Sequence, residues 1–146
     1  MITDIGHAAF RCANIEQSIE FFAKLGIVEA FRLNRDDGSV WLVYLRVNDD
    51  HFIELFPRGT QGSDDNSARA VGYAHLCLAV DDLEATVADL ERKGMPIDVR
   101  PKQGRDNNWQ AWIVDPDGNR IELMQMVPDS LQNQAIQRMQ ATTSQT

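Results

Sequence analysis

The chain has 146 residues, 43% hydrophobic and 25% charged, with a net charge of −8. Such a composition belongs to one soluble globular domain with its own core, not to a disordered chain. The excess of acid argues against nucleic acid or an anionic membrane as partner, although a local Arg or Lys cluster can still hold an anionic substrate. No apolar run approaches the roughly 20 residues of a membrane span. The start, Met1-Ile2-Thr3-Asp4, lacks a basic segment followed by an apolar one, so no secretory signal is expected. Cys12 and Cys77 make neither a disulfide framework nor a CxxC site. The expected location is cytoplasmic.

Residues 5–12 alternate as a strand, with Ile5, His7, Ala9 and Arg11 on one face and Ala8, Phe10 and Cys12 on the other. Asn14 reads as a helix N-cap, followed by an apolar stripe of Ile15, Ile19, Phe22, Phe21 and Leu25, with Gly26 as the stop. Residues 28–33 read as a strand, and 34–38 carry Asp-Gly hairpin chemistry. Residues 40–47 and 51–56 are further strands. On the last, Glu54 shares a face with Phe52 and Phe56, a face expected to be covered.

Residues 58–70 are rich in Gly, Ser, Asp and Asn and read as a linker or loop. Strand 73–80 follows, with Tyr73, His75, Cys77 and Ala79 on one face. Asp81 or Asp82 caps a helix that turns Leu83, Val87 and Leu90 inward and ends at Gly94 and Pro96. A short strand is expected at 97–100, a loop at 101–108, strands at 109–114 and 119–126, and a tight turn at 115–118 between them. In the Gln-, Ser- and Thr-rich tail, Leu131, Ala135, Ile136 and Met139 are spaced for a weakly amphipathic helix.

The second half repeats the first. Glu122 follows His75 by the same 47 residues (122 − 75) that separate Glu54 from His7 (54 − 7). At an offset of 68 (75 − 7), Ile15 meets Leu83, Glu16 meets Glu84, Gly26 meets Gly94, Trp41 meets Trp109, and Ile53 and Leu55 meet Ile121 and Leu123. Each repeat reads strand, helix, three strands, and such a repeat sets the architecture. Module 1 covers about 1–60, the linker about 58–70, module 2 about 71–127 and the tail 128–146, all within one domain.

Burying an isolated carboxylate costs several kcal/mol unless something compensates, and a divalent cation does so. Two neutral imidazoles and two carboxylates give a neutral first shell around a 2+ ion. Mixed nitrogen and oxygen ligands suit nickel, zinc, cobalt, iron or manganese better than calcium. His7, Glu54, His75 and Glu122 are therefore the expected metal ligands, leaving an octahedral ion two positions for water or substrate. His51 has Asn119 at its matching place and is expected to be a surface residue. Cys77 reads as a small buried hydrophobe or as a border of the site, Cys12 as core. Trp41 and Trp109 read as site walls or core. Arg11 shares the face of His7 and can meet an anionic group or simply water.

Paired modules carrying His…Glu…His…Glu resemble the vicinal oxygen chelate superfamily of glyoxalases, extradiol dioxygenases, epimerases and fosfomycin-resistance proteins, over residues 4–127. The run Asp115-Pro116-Asp117-Gly118-Asn119-Arg120-Ile121-Glu122-Leu123 is similar to that family's closing turn and strand. The resemblance implies an α+β fold, in which two tandem βαβββ modules form a cupped, partly open mixed sheet around a metal site, with helices outside. It implies a small-molecule substrate and a homodimer, each site being built within one chain or across the dimer.

A ligand set with both glutamates is most similar to that of glyoxalase I-like proteins, the lactoylglutathione lyases. Related dioxygenases use two His and one Glu, and methylmalonyl-CoA epimerase has Gln at the place of Glu54. The implied reaction turns the hemithioacetal of an α-keto aldehyde and a thiol, glutathione or similar, into a 2-hydroxyacyl thioester. The implied roles are Glu122 as principal base and Glu54 as second proton carrier. Arg11 matches a position that helps hold the γ-glutamyl end of glutathione. Arg58 departs from the pattern, standing where glyoxalase I commonly has Asn. Arg58, Lys102 and Arg105 are the other expected substrate-binding cations. A dioxygenase or thiol transferase on the same scaffold is the alternative. A metal-free, antibiotic-sequestering protein is a third reading, against which the four ligands argue.

Overall fold

The computed structural model describes residues 4–59 and 73–143. Most of the expected linker, residues 60–70, lies outside them, as do residues 71–72 at the expected start of module 2. The chain divides into two compact units: module 1 with the turn Asp115–Gly118, and the rest of module 2 with the C-terminal helix.

In the first unit, β1 (His7–Arg11), α1 (Ile15–Lys24), β2 (Val28–Asn34), β3 (Val40–Arg46) and β4 (Phe52–Phe56) follow in order. The strands make one mixed sheet, β1-β4-β3-β2, with β1 parallel to β4 and the other pairs antiparallel. Asn14 caps α1 by accepting from the Gln17 N–H, and the helix buries Phe21 and Phe22. With Phe10, Val43, Leu45, Ile53 and Leu55 these close the core on one face of the sheet. The fully covered face of β4 is thus that of Ile53 and Leu55. Phe52, Glu54 and Phe56 lie on the opposite, half-covered face, which corrects the expectation that theirs is the core face.

The second unit repeats this with β5 (Leu76–Ala79), α2 (Leu83–Arg92), β6 (Val99–Gln103), β7 (Trp109–Val114) and β8 (Arg120–Gln125) in the order β5-β8-β7-β6. The agreement reaches single hydrogen bonds. The Asp82 side chain caps α2 through the Ala85 N–H, as Asn14 caps α1. Thr86 donates to the Asp82 carbonyl as Ser18 donates to that of Asn14. Gly26 and Gly94 take φ of 79° and 74°, the left-handed conformation that ends a helix cheaply with glycine. Leu83, Val87 and Leu90 are buried, as their spacing predicts.

Two strands differ most from expectation, β5 and β6. β5 begins at Leu76, so Tyr73 and His75 precede the strand. β6 runs over Val99–Gln103, not 97–100, which puts Lys102 in a strand and not in a loop. The strand tolerates Pro101 because β6 is an edge strand, and the register shift between Val99 and Lys102 falls at that residue. The tail forms α3 (Leu131–Thr143), although Leu131 and Ile136 remain exposed. Trp41 and Trp109 are 47% and 41% exposed and so are not core. Trp41 falls where the β2–β3 register slips, between the pairs Leu33–Leu42 and Asn34–Val40.

Candidate metal and proton-transfer site

Both histidine–glutamate intervals bring their residues together within a module. His7 opens β1, and Glu54 lies in the middle of the neighbouring β4, opposite Ala9. His7 Nε2 stands 3.5 Å from Glu54 Oε2. In the second unit His75 precedes β5, Glu122 lies in β8 opposite Cys77, and His75 Nε2 is 3.1 Å from Glu122 Oε2. In each pair an almost covered carboxylate faces a half-exposed imidazole; Glu54 as a whole is only 8% exposed. Among the described residues, no three His, Cys, Asp or Glu side chains are gathered as a metal site. The structure therefore supplies two imidazole–carboxylate pairs, each within its own unit.

Each pair fits a metal. Metal–nitrogen and metal–oxygen bonds of about 2.1 Å, meeting at angles between a right angle and the tetrahedral value, put neighbouring ligand atoms about 3.0–3.4 Å apart. The two separations, 3.1 and 3.5 Å, are close to that spacing. Neutral imidazole nitrogen with carboxylate oxygen is also a donor set that borderline divalent ions accept.

An aromatic ring attends each pair. Tyr44 is the register partner of Glu54 and stands edge-on to His7, with centroids 5.8 Å apart. Trp112 is the register partner of Glu122 and stands edge-on to His75 at 4.8 Å. These positions are again 68 apart (112 − 44). Comparison of residue types passes over them because a phenol and an indole do not match. Tyr44 holds its proton above the ordinary phenol range, chiefly through hydrogen bonding with Glu54. The exposed Cys77 borders Glu122, which corrects its reading as a buried hydrophobe. Partial desolvation, then the nearby carboxylate of Glu122, push its thiol up to about 11. Cys12 is buried, as expected.

Residues 4–123 match the sequence profile of the glyoxalase/bleomycin resistance protein/dioxygenase superfamily. The chain belongs to that superfamily. A lactoylglutathione lyase of Schizosaccharomyces pombe is 26% identical over 133 residues, which cover 82% of this chain and 44% of that protein. This chain thus spans less than half that relative's length. A probable lactoylglutathione lyase of Vibrio cholerae is 27% identical over 125 residues, covering 82% of this chain and 88% of that one. Among solved structures, a glyoxalase family protein from Enterococcus faecalis superposes with a TM-score of 0.71 at 22% identity, over 83% of this chain and 96% of that chain, and so shares the α+β fold.

On this glyoxalase-superfamily scaffold Arg11 and Arg58 belong to the first unit, and Lys102 and Arg105 to the second. The Arg11 guanidinium lies 5.4 Å from the centre of the Phe56 ring, on the β1–β4 edge that also carries His7. Arg58 is exposed, with φ of 66°; hydrogen bonds from Ser39, and to a smaller extent the Arg58 charge, hold the Asp37 carboxyl below its usual range. Lys102 is exposed in edge strand β6, and Arg105 is exposed in the turn that follows. His51 is half-buried, with Nε2 3.3 Å from Asp4 Oδ1 and Nδ1 3.2 Å from Asn48 Oδ1. It ties the β3–β4 turn to the residues that precede β1.

Proposed function

We propose that the chain is a metal-dependent lyase of the glyoxalase I type, one domain of two modules acting on the hemithioacetal of an α-keto aldehyde and a thiol such as glutathione. The observation that carries this reading is the pair of imidazole–carboxylate contacts, His7–Glu54 and His75–Glu122, at identical places in two modules. The likeness to lactoylglutathione lyases supports the choice of reaction.

His7 with Glu54, and His75 with Glu122, would supply the ligands of a divalent ion: nickel, zinc, cobalt, iron or manganese. When bound, that ion stabilises negative charge on substrate oxygens. The remaining chemistry belongs to the chain. Glu122 takes the proton from the substrate carbon that carries sulfur, and a proton returns to the adjacent carbon, with Glu54 as second carrier. One C–H bond breaks and another forms, and the hydroxyl proton passes from the oxygen on the sulfur-bearing carbon to the oxygen on its neighbour, so the hemithioacetal becomes a 2-hydroxyacyl thioester without an oxidant. Arg11 holds an anionic end of the thiol, and Arg58, Lys102 and Arg105 are further contacts for substrate carboxylates. The active form is a cytoplasmic homodimer.

The test begins with metal content after purification without chelator, followed by a methylglyoxal-plus-glutathione assay with added nickel, zinc, cobalt or iron. One ion per chain and thioester formation are expected. Uptake of oxygen by an iron-loaded chain identifies a dioxygenase instead, and a chain that binds small molecules with no stoichiometric metal is a sequestering protein. Glu122→Gln is expected to lower kcat by at least 100-fold, the usual scale for a general base, with little change in KM. Near-normal turnover removes Glu122 from the chemistry.

A further inference from the structure

Alternation along β8 turns Ile121 and Leu123 into the core and puts Arg120 and Glu122 on the opposite face. Trp112 pairs with Glu122 across the ladder and so shares that face. The guanidinium carbon of Arg120 stands 4.2 Å from the centre of the Trp112 ring, and the same ring meets His75 edge-on. Arg120, Trp112, His75 and Glu122 thus form one run of contacts within the second unit. Arg120 is not among the four expected cations. Lys102, which is, stands across the ladder from Gln110, whose Oε1 accepts from the Trp112 indole at 2.9 Å. The face beside the His75–Glu122 pair therefore carries two cations.

Module 1 does not repeat this arrangement. At the matching places (114 − 68; 120 − 68) it has Arg46 and Phe52. Arg46 is drawn into a short ion pair, with Nη2 2.6 Å from Asp49 Oδ1, and Phe52 meets the Tyr44 ring edge-on. Arg120 is held differently. Among the described residues the acid it reaches is Asp98, at 3.4 Å, beyond the usual hydrogen-bond range, and its side chain is 51% exposed. An aromatic ring holds a guanidinium through its π electrons and leaves the N–H donors to other partners.

We propose that Arg120 is a substrate-binding residue of the His75–Glu122 site: its guanidinium, seated over Trp112, takes a carboxylate of the substrate. This rests on the reading above and deepens it by naming the residue that reads substrate charge. Two residues of strand span about 7 Å. A ligand whose reacting carbon lies at Glu122 therefore brings a carboxylate a few bonds away within reach of Arg120. The guanidinium fork can meet that carboxylate with two parallel N–H bonds, which an ammonium cannot do. In a chain of net charge −8, an anionic ligand needs such a local cation.

The experiment is a calorimetric titration of the chain purified without chelator, as wild type, Arg120→Gln and Arg120→Lys. The probes are S-methylglutathione, its neutral dimethyl ester, and 2-hydroxyglutarate, which carries carboxylates without the peptide. Arg120→Gln is expected to weaken binding of an anionic probe roughly 10- to 100-fold, the scale of a hydrogen bond to a charged group. The dimethyl ester should change by less than about twofold, since it offers no charge. Arg120→Lys should recover part of the loss, because it keeps the charge and not the fork. Added salt should narrow the gap between wild type and Arg120→Gln. A loss seen with S-methylglutathione places the carboxylate on the thiol; one seen with 2-hydroxyglutarate alone places it on the acyl part. Equal losses for acid and ester show that Arg120 merely supports the fold, and no loss shows that it is a bystander. Both overturn the proposal and leave the lyase reading to its own test, metal content and thioester formation. A wild-type chain that binds neither anionic probe also overturns it.

Discussion

Asn14 and Asp82 differ in residue type yet accept the same hydrogen bond from the third residue beyond them, at the starts of α1 and α2. A helix N-terminus leaves backbone N–H groups without intrahelical partners, and a short polar side chain satisfies one. Asn14→Ala and Asp82→Ala are each expected to cost about 1 kcal/mol, visible as a lower urea midpoint with an unchanged slope. A change in only one of the two would mean that the modules do not use their caps alike. Asn14 was legible in the sequence, and Asp82 as one of two candidates with Asp81, because turn and cap chemistry acts locally. Tyr44 and Trp112 were not. Their matching placement depends on cross-strand register, which puts each opposite a glutamate 10 positions further along (54 − 44; 122 − 112), and no local rule links a phenol to an indole. Trp41 and Trp109 erred the other way. They match in type and position, but one falls at a slip in register and the other at the start of a strand, and both stay exposed.

Among elements, helices and central strands were legible because their apolar spacing reports burial directly. α2 turns in the three residues that period 3.6 selects, and β8 buries Ile121 and Leu123 as alternation requires. Edge strand β6 was less legible. It buries little, and Pro101 reads as a breaker unless the strand is known to have a free side. The tail was legible only as a weak helix, because its anchoring is polar: the Leu131 N–H donates to the Asp106 carbonyl at 2.9 Å, and buried Asn108 links the same elements. Asn108 donates to Asp106 Oδ2 at 2.8 Å and to Gln132 Oε1 at 2.6 Å, and accepts from the Val127 N–H at 3.3 Å. It is 1% exposed and so joins the β6–β7 loop, the end of β8 and the first turn of α3. Asn108→Ala leaves buried partners unsatisfied and is expected to cost about 2–3 kcal/mol. Hydrogen exchange should quicken over 127–138 before the central strands are affected. Unchanged protection there would mean that α3 is held by something other than Asn108.

At the scale of the molecule, a chain of net charge −8 is expected to weaken as acid titrates the carboxylates it uses in pairs. Glu29 is the clearest of these. Hydrogen bonds from Arg32 hold its carboxyl below the ordinary 4.5, and the same guanidinium reaches Glu16 at 3.1 Å, so β2 is tied to α1. The folded carboxyl binds its proton less tightly than the unfolded one. Its contribution is therefore complete above about pH 4.5 and disappears as pH falls through the lower folded value. Cys12 acts at the other end. Burial raises its thiol above 9.0, so the unfolded chain releases that proton first and stability declines as pH climbs past 9. Thermal midpoints should form a plateau between these limits, with Glu29→Gln lower on the plateau and flatter on the acid side. An acid limb in Glu29→Gln as steep as that of the wild type would show that the Glu29–Arg32–Glu16 link between helix and sheet does not contribute to acid sensitivity. Part of the acid loss will survive in the variant in any case, since Asp4, Asp37 and Asp89 are held low by partners of their own. The comparison is therefore one of slopes between pH 3 and 5, taken at one ionic strength because exposed pairs are screened by salt.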